Sequence, residues 1–158
     1  MDTIQIQYRI ADIRERRFFI QEVSNIEAST IRSITTFIVK HDISLDPDSG
    51  HVVIQFDFRL VPRSNHDTTY LHYVASLSYE LGGFELMVEG ADSPSIPTLV
   101  MEALIGAAYS TFRGSIYSRC GASILRHAIL PISDPSMFLK NTPVVKAPLV
   151  PKEPLVEE

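Results

Sequence analysis

Cys120, His127 and Asp134 recur at seven-residue intervals within "STFRGSIYSRCGASILRHAILPISD", residues 110–134, and offer the three residue types of a thiol-dependent hydrolase. Such an enzyme needs thiolate and imidazole within hydrogen-bond reach and a third group that fixes the ring. Seven-residue spacing brings side chains together only along one unbroken helix, and here Gly121 and Pro131 interrupt it. The segment is therefore read as non-catalytic, with Cys120 packed as a small hydrophobe at a helix end.

A metal centre fares no better. His41, His51, His66, His72 and His127 contain no pair at the short helical spacing of common zinc motifs, and a single Cys provides no thiolate cluster. Folding about "DPDSG" would pair His51 with residues near Leu45 and leave His41 further along the ladder. The chain has no G-x-x-x-x-G-K-[ST], G-x-G-x-x-G or G-x-S-x-G pattern, and "LGG" at 81–83 reads as a turn. The expectation is a non-enzyme with no catalytic, metal or cofactor site.

Composition narrows the remaining classes. A chain of 158 residues with 45% hydrophobic content can bury one sizeable core. Its 14 Lys and Arg against 19 acidic residues, a formal charge of -5, argue against a nucleic-acid partner. The opening "MDTIQIQYRI" lacks the basic end and apolar run of a secretory signal. No stretch reaches the ~20 apolar residues of a membrane span, and the lone Cys suits a reducing compartment. These features predict a cytoplasmic protein with no membrane insertion.

The first two thirds of the chain carry period-two signals. In "HVVIQFDFRLVP" Val52, Ile54, Phe56, Phe58 and Leu60 share one side, as a half-buried strand requires. "TTFIVKHDISL" reads as its antiparallel partner across the "DPDSG" turn. After the polar "PRSNHDT", Leu71, Tyr73, Ala75, Leu77, Tyr79 and Leu81 mark another strand. Ile4, Ile6, Tyr8 and Ile10 alternate likewise, and "RRFFIQEV" continues or re-forms that strand beyond the charged "RER". Periodicity does not assign residues 24–34.

Helical spacing then takes over. Met101, Leu104, Ile105, Ala108, Phe112 and Ile116 recur at three- and four-residue steps, which predicts an amphipathic helix over roughly 97–120. Ser95 is the candidate cap, Pro97 an early helical residue and Gly121 the left-handed terminator. Asp134 should cap a short second helix opening with Pro135 and containing Met137, Phe138 and Leu139. The tail 141–158 holds four of the ten prolines and reads as extended or disordered. Gly106 and Gly114 lower helix propensity, so another backbone is expected to come close, either the chain's own sheet or a second copy.

The run "ALIGAAYSTFRGSIYSRCGASILRHAILPISDPSMFL" resembles the C-terminal part of SecB-like export chaperones, with its Phe-Arg-Gly step, a Gly after the long helix and a Leu-Pro step before a short one. As architecture the resemblance spans about residues 3–140, giving a SecB-like domain over 1–140 and a Pro-rich tail beyond it. It implies an α+β fold, an antiparallel sheet of about four strands followed by a long and a short helix packed on one face. It also implies assembly as a dimer of dimers and an ATP-independent holdase that binds unfolded or nascent polypeptides. Phe112, Arg113 and Gly114 would hold the family's helix position in assembly and packing, with Gly106 nearby, and Leu130 and Pro131 its Leu-Pro step. The client groove would gather Met137, Phe138 and Leu139 beside strand aromatics such as Tyr79 and Phe84.

Two features depart from the family. Its export members dock the translocation motor through an acidic surface, whereas here Asp57 lies beside Arg59 and Lys40 beside Asp42, so motor docking is left unsupported. The Pro-rich tail is also not foreseen by the motif. SecB-like proteins include solitary chaperones dedicated to one client, such as an antitoxin. Outside the holdase class, an adaptor binding one folded partner through the same fold is the alternative. A hotdog-like thioesterase would need its helix early and enclosed by the sheet.

Overall fold

The fold grows from the two central strands, whose alternation is the cleanest in the chain. The computed structural model describes residues 7–46, 51–82, 96 and 98–140. Strand β3 (His51–Pro62) pairs antiparallel with β4 (Leu71–Gly82), setting Phe56 opposite Ala75 and Phe58 opposite Tyr73. Both strands bury every second residue, so one face of the ribbon is continuous apolar surface. Strand β2 (Thr35–Asp46) pairs with β3 in the register expected from the turn, placing His51 opposite Asp46 and His41 opposite Phe56.

Strand β1 (Gln7–Ile20) pairs antiparallel with β4, giving a four-stranded sheet of order β1-β4-β3-β2. The charged "RER" does not divide it. Register shifts between Ile10 and Asp12 and between Glu15 and Arg17 absorb the irregular pattern while pairing continues. β1 and β2 are thus the two sheet edges, and the chain between them crosses from one edge to the other. That crossing contains helix α1 (Ala28–Ile34), which periodicity could not assign. Only Ile31 of α1 is buried, and its seven residues are too few to repeat a 3.6-residue signal. Its end is secured by Thr35 Oγ1, which donates to the Ile31 carbonyl at 2.6 Å.

Helix α2 (Thr98–Cys120) covers the apolar face and buries all six positions expected from spacing, together with Tyr109 and Cys120. Aromatic rings form the contact. Phe112 meets Phe56 and Tyr73 edge-on at 6.2 Å each, and Phe56 stacks on Phe58 at 5.3 Å. Gly121 ends the helix at φ +49, in the left-handed region where a side chain is strained. The chain then makes a 3₁₀ turn at Ile124–His127, capped by Ser123, whose hydroxyl accepts from the Leu125 amide. Buried Leu125, Ala128 and Leu130 pin this connection.

The short last helix α3 (Ser136–Leu139) is a single turn. Asp134 caps it: its carboxylate accepts from the Ser136 amide at 2.9 Å, and its carbonyl accepts from the Met137 amide at 3.0 Å. No helix among the described residues is long and apolar enough to cross a membrane. Ser95, Pro97 and the tail 141–158 lie outside the described residues.

Candidate functional site

Cys120, His127 and Asp134 are not brought together. Cys120 is buried at the end of α2, where burial pushes its thiol pKa up and away from a reactive thiolate. His127 is exposed on the 3₁₀ turn, and the Asp134 carboxylate is engaged in capping, which holds its pKa down through the hydrogen bonds from Ser136. No group of three or more His, Cys, Asp or Glu among the described residues is arranged to hold a metal ion.

The three residues of the Phe-Arg-Gly step have separate surroundings. Phe112 is core. Arg113 donates from Nε to the Leu130 carbonyl at 2.8 Å, one turn along from Tyr109, whose hydroxyl donates to the Pro131 carbonyl at 2.8 Å. Together they clasp the Leu-Pro segment onto α2 and set the position from which α3 starts. Ser133 Oγ donates to the Tyr109 oxygen at 3.2 Å and extends the clasp. Gly114 is exposed, and a Cβ placed there would meet nothing within 4 Å.

Gly106 is different. A Cβ at this position would come within 3.0 Å of Pro135 Cγ, so the close neighbour is the residue leading into α3, and not the sheet. This contact seats α3 over an aromatic socket. The Phe138 ring lies 5.2 Å from Phe56, 5.5 Å from Tyr109 and 5.1 Å from His41, and His41 Nε2 is hydrogen-bonded to the Phe138 carbonyl at 2.8 Å. Phe138 and Leu139 are half-buried, whereas Met137 on the same turn is 60% exposed and Ile132 before it 84%.

Tyr79, expected beside these residues, is placed elsewhere. It is fully buried under α2, its hydroxyl donating to the Leu104 carbonyl at 3.0 Å, so it has no surface to offer a ligand in this conformation. Strand periodicity identifies its face but not the helix that covers it. Phe84 lies outside the described residues. Edge strand β2 contributes His41 to the surroundings of α3, beside Phe56 of β3 and Tyr109 of α2, with half-buried Phe37 and Val39 further along the same face of β2. A groove of about 250 Å³ lies beside the start of β2, lined by Thr35 and Phe37 of that strand, by Ile129 and Pro131 of the connection, and by Arg32 and Arg63. Apolar residues on the inward side of an edge strand were the available signal for Phe37. In the matching wall the Leu-Pro step marked Pro131 as part of a connection, but no local signal marked Ile129 as a neighbour of β2.

The class defined by this architecture is the SecB-like α+β fold, an antiparallel four-stranded sheet followed by a long helix and a short one. The particular structure it is similar to is a SecB-like chaperone from Mycobacterium tuberculosis, in complex with a ChAD peptide from an antitoxin. The TM-score is 0.52 at 17% identity, covering 80% of this chain and 89% of that one. A protein of unknown function from Streptococcus agalactiae is similar at a TM-score of 0.38 and 12% identity, covering 74% of this chain and 90% of that one. No protein-family model matches the chain, and no curated protein matches it.

Proposed function

We propose that this chain is an ATP-independent holdase that binds extended, apolar segments of unfolded or nascent polypeptides, working in the cytoplasm. The observation that carries the proposal is the exposure of Met137 on α3 and of Ile132 just before it, with a groove of mixed polar and apolar lining between edge strand β2 and the connection that leads to α3. An edge strand offers unpaired backbone groups to an extended peptide, and flexible apolar side chains adapt to varied clients. The SecB-like fold and the antitoxin peptide bound by the mycobacterial chaperone agree with a polypeptide ligand, including the case of one dedicated client. Met137, Phe138 and Leu139 form the client-facing turn, and Phe37 and Ile129 replace Tyr79 as its continuation.

The test is suppression of aggregation of an unrelated unfolding enzyme by the full chain, without nucleotide. Met137→Asp should reduce protection at least about fivefold, because an exposed carboxylate must be desolvated by any apolar client, while unfolding stability stays within about 0.5 kcal/mol of wild type. Wild-type protein that protects nothing and binds no unfolded peptide sinks the proposal. The alternative, an adaptor for one folded partner, draws on the fixed Phe56–Tyr109–His41 socket around Phe138; it gains if a single folded protein binds and unfolded peptides do not.

Assembly belongs to the same proposal. Gly114 and exposed Tyr117 line a cleft of about 340 Å³ between α2 and the connection, and among the described residues none comes within 4 Å of a Cβ placed at the glycine. We assign this face to helix contacts in a dimer of dimers. Gly114→Leu should then lower the mass measured by light scattering without unfolding the protomer, since space is open around a Cβ there. A wild-type protein that stays monomeric at high concentration removes the assignment.

A further inference from the structure

One end of the outward face of the sheet, opposite the helices, gathers three cations that neither the groove nor the helix contacts use. In one row across the sheet Arg17 pairs with Val74, Val74 with Asp57, and Asp57 with Lys40. In the next row Phe19 pairs with His72, His72 with Arg59, and Arg59 with Ile38. Arg17, Lys40, Asp57, Arg59 and His72 line one shallow depression there, beside half-exposed Phe19. Three fixed cations thus face a single carboxylate in a chain whose formal charge is -5.

The carboxylate is already engaged. His72 Nε2 lies 3.0 Å from Asp57 Oδ1, and His72 Nδ1 lies 3.5 Å from an Arg17 guanidinium nitrogen. With the imidazole proton on Nε2, one uninterrupted chain runs from Arg17 through His72 to Asp57. Arg59 is held from the side by Thr69 Oγ1 at 2.7 Å, which fixes its direction but leaves its charge uncompensated. Asp42, one row beyond Lys40 on β2, is the next carboxylate on this face, while Asp12 is bound to Arg14.

We propose that this surface docks an extended acidic segment of a partner protein. Arg17 and Lys40 stand three strand spacings apart, about 14 Å, which matches carboxylates about four residues apart on one side of an extended chain, with Arg59 between them. Phe19 gives an adjacent aliphatic residue an apolar contact. A long polyanion such as nucleic acid fits less well: the patch spans only a few phosphate spacings on a chain that is acidic overall. The surface lies on the opposite side of the sheet from the groove, so it acts independently of the holdase proposal.

The test is fluorescence anisotropy of the full-length protein with a labelled decapeptide of alternating Glu and Ser. Wild type should bind it, with affinity falling about tenfold between low and physiological salt. The pair Arg17→Gln and Lys40→Gln should weaken binding about tenfold. Arg9→Gln, which alters net charge but removes a cation already paired with Glu80 at 2.7 Å, should change it less than about twofold. Circular dichroism checks that all variants are folded, and Lys40→Gln alone, at an exposed position, keeps the comparison usable if the double variant is not. Absence of binding, an equal loss in Arg9→Gln, or equally tight binding of a single-stranded oligonucleotide would each overturn the proposal.

Discussion

Phe112→Ala should cost about 3–5 kcal/mol of folding stability, a large share of what a domain of this size possesses. Phe112 is fully buried, and its ring is the point at which α2 meets Phe56 of β3 and Tyr73 of β4. Deleting it removes both the transfer free energy of the ring and its contacts, and the surrounding strands are too constrained by their ladders to collapse into the space. Urea unfolding followed by circular dichroism measures the loss. A change below about 1 kcal/mol would mean that α2 is not docked on the sheet in this way.

Phe138→Asp should have the largest functional effect, because it acts on the docking of the turn that presents Met137. The half-buried ring is held by Phe56, Tyr109 and His41, and a carboxylate in that socket loses all three ring contacts and meets a desolvation cost. About 2–3 kcal/mol of local docking energy should be lost, with the single turn of α3 released from α2 while the sheet persists. Rapid amide exchange confined to residues near 137–139, with aggregation suppression lost, is the expected pair of results. Protection that survives after α3 has been released would place the client site elsewhere. Phe138 is therefore a probe of α3 docking, and exposed Met137 is the cleaner probe of client contact.

Gly106 and Gly114 illustrate what a helical glycine conveys. Both raise the same question on paper, namely what comes close enough to exclude a side chain. Pro135 supplies the answer at Gly106, and at Gly114 no described residue does. The difference rests on where a residue 29 positions away is placed. Arg113 is similar: its guanidinium clasps the Leu130 carbonyl, a structural duty inside the protomer that precedes any part it has in assembly.

The element types and the inward faces of β3, β4 and α2 were legible from residue order alone. Those follow from periods of two and 3.6 residues, which are properties of the local backbone and need no knowledge of the neighbours. So were the stops, Gly121 at its positive φ and Asp134 at the α3 cap, because each depends on a few adjacent residues. The continuity of β1 and the existence of α1 were not legible, since register shifts blur alternation and seven residues are too short for a helical repeat. Which apolar side chains stay at the surface was set by the packing of distant segments. Tyr79 is sealed by α2, Phe138 is half-covered by a histidine 97 residues away, and Met137 one position earlier is left open. Exposure depends on what the rest of the chain lays over a residue, and that is settled by long-range packing that no local repeat encodes.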